Sequence, residues 1–215
     1  DNIKRLFKIN KDMFVLVRLF AHFRDRKVSS ADFVSWVEAD VQQLYGKGVR
    51  YFEVHNEPNL QIEGWQHSWQ DGHRFADWFL EVVERLKSHF PEALFGYPGL
   101  SPGHEIPGQR MDSWVFLQQS EAAAMASDWI GCHCYWINDT DMVQPTGGLV
   151  YEEFRRIYPE KLLFITEFSN PFSEVSARSK GQQYVDYYRR LRNVKGLGAA
   201  FSFVLSASSN FPHEV

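Results

Sequence analysis

Two glutamates stand where apolar, strand-like runs end. Glu57 closes Tyr51-Phe52-Glu53-Val54-His55-Asn56 and is followed by Pro58, and Glu167 closes Leu162-Leu163-Phe164-Ile165-Thr166 and is followed by Phe168. Two carboxylates delivered to one place can divide the work at a glycosidic bond. One stays protonated and donates to the leaving oxygen, while the other is ionised and attacks or activates water. Proximity and burial push their pKa values apart, so both states coexist near neutral pH. Pro58 lacks an N–H and ends the strand ladder, which fixes where Glu57 emerges. Glu167 beside so apolar a run is costly without partners or a task.

A second group lies in Trp129-Ile130-Gly131-Cys132-His133-Cys134-Tyr135-Trp136. Strand alternation puts His133 and Tyr135 on one face and the two cysteines on the other. Cysteines two apart in a strand sit roughly 6.5 Å apart and are poorly oriented for a disulfide. Cys132 and Cys134 therefore read as buried free thiols, with the helices outside. The histidines are scattered and no His-x-His occurs, so no metal ligand set is expected. No Gly-rich phosphate fingerprint follows a strand, and no cofactor is expected.

These groups need elements to position them. Strand-like runs span 13–20, 49–56, 93–98, 128–136, 161–168 and 197–205. Helical periodicity falls between them at 31–45, 73–90, 112–125, 149–158 and 176–193. Ser29 or Ser30 is the expected cap of the first helix. Regular alternation implies a parallel sheet covered by helices. The polar residues gather at strand ends, at Arg18, His22, Asn56, Glu57, Ser101, His133, Tyr135, Glu167 and Ser206, which favours a barrel over a doubly wound sheet.

The chain has 215 residues, a size that suits one domain over 1–215. Net charge is −4 with signs interleaved, which argues against a nucleic-acid groove. No apolar stretch is long enough to span a membrane. The first residues, Asp1 to Arg5, include no initiator Met and no signal peptide, and secreted and cytoplasmic locations both stay open. Aromatics reach 16%, enough both for a bulky core and for rings lining a sugar cleft. Trp65, Trp69 and Trp136 are the candidate platforms. Arg18 is placed to hold Glu167 ionised or to grip a sugar, and His22 to line the pocket.

Asn56-Glu57-Pro58, then His133-Cys134-Tyr135, then Ile165-Thr166-Glu167-Phe168, in this order at strand ends, resembles the clan A glycoside hydrolases. These are retaining (β/α)8-barrel enzymes that include cellulases, mannanases and β-xylosidases. The resemblance implies a carbohydrate substrate, Glu57 at the end of strand four as acid/base, and Glu167 at the end of strand seven as nucleophile. It implies that Asn56 bonds the sugar 2-hydroxyl and that Tyr135 orients Glu167. His133, Trp136, Arg18, His22 and Trp65 complete the expected substrate-binding set. On that count the chain supplies strands three to eight. Strands one and two are absent on that count, so either the chain is a fragment, or a partner chain or segment or an unusual closure completes the barrel. The family's usual strand-eight Trp is absent from Phe203-Val204-Leu205-Ser206. The alternative is a catalytically inactive carbohydrate-binding or scaffold relative on the same fold.

Overall fold

A computed structural model of the chain describes residues 2–23, 25–204 and 208–212. The expected strand-end Ser206 lies outside them. Six strands form one parallel sheet in chain order: β1 (Leu16–Leu19), β2 (Tyr51–Val54), β3 (Leu94–Tyr97), β4 (Trp129–Tyr135), β5 (Leu163–Ser169) and β6 (Leu197–Ser202). The arrangement is a curled part of a (β/α)8 barrel. β1 and β6 each pair on one side only among the described residues.

The crossover helices follow from local chemistry. Helix α1 (Asn2–Ile9) precedes β1, and α2 (Ser30–Tyr45) joins β1 to β2. Ser29 caps α2 and Asp32 reaches back to it, a reciprocal capping box. Between β2 and β3, helix α3 (Gly72–His89) is capped by Asp71 and buries Phe75, Trp78, Phe79, Val82 and Leu86. The helix expected at 112–125 is two, α4 (Ser113–Gln119) and α5 (Glu121–Ala126). Ser120 breaks it. Its hydroxyl donates to the Phe116 carbonyl at 2.7 Å and meets Tyr97 Oη at 2.6 Å, an alternative to continuing the helix. A one-turn helix, α6 (Asp139–Met142), and α7 (Val150–Ile157) lead to β5, and α8 (Ala177–Leu191) leads to β6. Neither α1 nor α6 was expected; both are short, and α1 buries no residue fully.

Facing residues fill the inside of the curl. Phe14, just before β1, packs on Tyr51 of β2 and reaches Phe164 of β5 and Phe201 of β6, with ring centroids 4.7, 5.1 and 6.1 Å away. Rings from opposite ends of the sheet thus close its floor. Cys132 and Cys134 are free and buried on the outer face, where the Tyr187 hydroxyl of α8 lies beside Cys134.

A Cβ at Gly96 would lie 2.2 Å from the Trp129 indole, whereas one at Gly181, exposed in α8, would meet nothing within 4 Å. Gly96→Ala should therefore cost about 1–3 kcal/mol by overpacking. Gly181→Ala should add about 0.5–1 kcal/mol by propensity. Urea unfolding of the two variants checks the opposite signs.

Candidate active site

The site begins with register. Arg18 on β1 lies beside Glu53 on β2, and His133 on β4 beside Glu167 on β5. The second pairing depends on an irregularity. Cys132 pairs with Ile165, but His133 pairs with Glu167, so Thr166 is an extra residue in β5. Simple alternation would point Glu167 away from the interior. The bulge re-aims it inward, and Phe168 turns out to stack on Trp136 beneath α8.

Arg18 ties these strands together. Its Nε donates to Glu53 Oε2 at 2.6 Å, its Nη1 donates to Glu167 Oε1, and its Nη2 lies 3.2 Å from His133 Nε2. Glu53 is fully buried and accepts a second bond from the Gly99 N–H at 3.1 Å. A guanidinium can only donate. In the neutral ring His133 Nε2 therefore accepts, and Nδ1 carries the proton toward Glu57 Oε1 at 2.9 Å. Tyr135 donates its hydroxyl to Glu167 Oε2 at 2.5 Å. Oxygens of Glu57 and Glu167 lie within 4.8 Å of each other.

The turn that carries Glu57 is unusual. His55 and Glu57 have φ of +72° and +33°, a region in which side-chain-bearing residues are strained, and such strain persists only where the surroundings impose it. Here they do. The Glu57 N–H bonds the Gly99 carbonyl at 3.1 Å, and Trp69 Nε1 donates to the Pro58 carbonyl at 2.7 Å. Buried Asn59 bridges to Ser101 and Met111. The His55 ring stacks on Phe23, and its Nε2 donates to the Glu63 carbonyl at 2.6 Å.

Arg18, His22, Asn56, Glu57, Tyr135 and Glu167 line one open cleft of about 720 Å³, joined by Phe20, Glu63, Arg110, Phe203 and Phe211. His133 is buried beneath it. Trp65 and Trp136 are not brought to it. Trp65 is 7% exposed and donates to the Gln70 carbonyl, and Trp136 is 2% exposed, stacked on Phe168 and bonded to Gln183. Trp69 is wholly buried as well. In all three the indole serves packing. Sequence reasoning missed Glu53, Glu63, Phe203 and Phe211. Glu53 had a signal, a lone charge inside an otherwise apolar strand. Glu63 had none, since its burial depends on a loop.

Charge is finely set here. Burial works to raise the Glu167 pKa, but His133, Arg18 and the Tyr135 hydroxyl outweigh it and hold the carboxyl below its usual value. Burial disfavours charged His133, yet Glu167 and Glu57 prevail over burial and Arg18 and raise its pKa. Burial drives His55 down to about 4 and Glu63 up to about 7. Ligand atoms of Glu57, His133 and Glu167 are close enough to hold a metal ion. A cation there would displace the Nδ1 proton of His133 and sit beside the Arg18 guanidinium, so the donor set suits proton transfer better than metal binding.

Neither a family model nor a curated protein sequence matches the chain. Solved structures do. A glucosidase from Croceicoccus marinus aligns over 99% of this chain and 46% of its own length, at TM-score 0.70 and 14% identity. A GH128 (subgroup II) endo-β-1,3-glucanase from Pseudomonas viridiflava aligns over 92% of this chain and 70% of its own, at TM-score 0.57 and 16% identity. A GH128 (subgroup I) endo-β-1,3-glucanase from Amycolatopsis mediterranei, solved with laminaritriose, aligns over 87% and 71%, at TM-score 0.53 and 16% identity. At these identities the likeness establishes the fold. This chain has the core of a (β/α)8 barrel of the kind those glycoside hydrolases use, and spans from about half to seven-tenths of their lengths.

Two outcomes follow from the charges. Removing the cation in Arg18→Met leaves Glu53 and Glu167 buried without it. About 3–5 kcal/mol of stability should go, and Glu167 should titrate at higher pH, read by carboxyl ¹³C NMR. Ring NMR should find His55 titrating near 4 and His133 above 6.5. A depressed His55 value means its stability contribution is whole above about pH 6.5 and is lost, by about 3 kcal/mol, as pH falls toward 4. His55→Phe should lack that acid-side slope in denaturant titrations.

Proposed function

We propose that this chain carries the active site of a retaining β-glycoside hydrolase. The observation that carries it is the Glu57–Glu167 pair, with carboxyl oxygens within 4.8 Å of each other. Retaining enzymes hold their two carboxyl groups about 5–5.5 Å apart, whereas inverting ones need about 6.5–9.5 Å to admit a water.

Glu167 is the nucleophile in this reading. Arg18 and Tyr135 each bond one of its oxygens and favour the anion. It attacks the anomeric carbon and forms a glycosyl ester as the glycosidic C–O bond breaks. Glu57 is the acid/base. His133 occupies its Oε1, which leaves Oε2 to protonate the departing oxygen. Glu57 then takes a proton from the water that hydrolyses the ester. Asn56 stands in the cleft beside Glu57 to bond the 2-hydroxyl. Phe203 and Phe211, whose rings meet edge to face at 4.8 Å, supply apolar faces for the sugar where a Trp is usual. Two of the structural neighbours are endo-β-1,3-glucanases, which makes β-1,3-linked glucan the first substrate class to test.

Glu167→Gln should lower kcat at least about 10³-fold on every substrate. Glu57→Gln should do the same on laminaritriose but spare aryl β-glucosides, whose leaving group needs little protonation. Anomeric ¹H NMR should show the β-product forming first. Full activity of both variants on these substrates, or an α-product, would overturn the assignment.

A further inference from the structure

The cleft holds a third carboxyl that neither step of this chemistry uses. Glu63 ends a 3-10 turn, Gln61–Glu63, in the loop after β2. Its backbone is well held: the carbonyl accepts from His55 at 2.6 Å, the N–H bonds Leu60, and the next residue, Gly64, sits at φ +123° against the Trp69 ring. The side chain takes no part in that scaffold. It is 12% exposed, lines the cleft, and accepts a hydrogen bond from the Asn56 amide.

No Lys or Arg lies within salt-bridge distance of this carboxyl among the described residues; its one near titratable partner is the His55 ring, at 4.0 Å. Arg18 attracts it from farther off, while Glu57 and Glu167 repel it. Next to it, Asn56 Oδ1 is buried without a hydrogen-bond partner. The half-buried Glu63 carboxyl keeps acceptor positions beyond its Asn56 bond, and the buried Asn56 Oδ1 is costly to leave without a donor. Both needs are met by a ligand that brings hydroxyl groups. A carboxyl offers about four acceptor positions, enough for two vicinal hydroxyls, and in its protonated form can donate to one. Burial holds it near 7, so both forms are present at neutral pH.

Resting on the saccharide reading of the cleft, we propose that Glu63 is a sugar-binding residue: with Asn56 it takes the hydroxyls of a neutral sugar unit and turns away sugars that carry a carboxylate. Glu57 and Glu167 already repel charge on the Glu63 carboxyl, and a ligand carboxylate seated against it meets the same repulsion.

Calorimetry tests this in a Glu57→Gln background, where turnover is suppressed and the Arg18 ion pairs are untouched. Laminaritriose should bind at least tenfold more weakly when Glu63→Ala is added and severalfold more weakly with Glu63→Gln. Glucuronate, measured by competition, should bind more tightly to the Gln variant than to its parent. The melting temperature should hold within a few degrees, which a purely structural role would not allow. Unchanged laminaritriose affinity, or equal loss for both ligands together with a fallen melting temperature, would overturn the proposal. If the Glu57→Gln parent binds neither laminaritriose nor cellotriose, mannotriose or xylotriose, the saccharide reading fails and this proposal goes with it.

Discussion

Arg18 is a single cation set between two buried carboxylates, Glu53 beside it on the next strand and Glu167 on a strand three further along the sheet. The arrangement works only if the sheet curls. On a flat sheet β1 and β5 would be about 19 Å apart at the usual strand spacing. Curling brings a β1 guanidinium and a β5 carboxylate into contact, and the excess of negative charge makes that contact expensive to lose. Small residues then give the charged layer its room. A Cβ at Gly131 would sit 2.9 Å from Glu53 Oε1, and one at Gly99 would sit 2.2 Å from the His133 ring.

The same constraint explains the backbone irregularities. Glu167 reaches Arg18 because Thr166 is an extra residue in β5. Glu57 meets His133 because the turn after β2 passes through two positive-φ residues. The first is a bulge within β5, past which pairing with β4 resumes; the second is a strained turn in the loop at the C-terminal end of β2. The approach of the two carboxyls is therefore set by these local irregularities in strands that otherwise pair in parallel.

The rim loops divide the aromatics in a way composition does not reveal. Trp65, Trp69 and Trp136 look like sugar platforms because each follows a strand-end polar group. Each is instead buried, with its indole N–H satisfied by Gln70, Pro58 or Gln183. A large ring near a cleft has as much to gain from packing as from solvent-facing display. The aromatic rings that line the cleft include Phe20, Tyr135, Phe203 and Phe211, and the apolar faces among them are the three phenylalanines. Two of them follow β6: Phe203 lies near the end of the strand-like run 197–205, and Phe211 lies beyond it.

The sequence by itself determined the alternation of strands and helices, the parallel sheet, and the placement of Arg18, Asn56, Glu57, Tyr135 and Glu167 at strand ends. Hydrophobic period and the Pro58 stop are local properties, and local properties can be read along a chain. The break at Ser120 was not legible, since it depends on a Tyr97 hydroxyl from another element. Nor was the inward turn of Glu167, because simple alternation points it outward and only pairing with β4 creates the bulge. Glu63 became a cleft carboxyl only when His55 folded the loop over it. Burial, charge balance and the approach of two carboxyl oxygens to within 4.8 Å are properties of residues far apart in the chain, so only the tertiary structure could decide them.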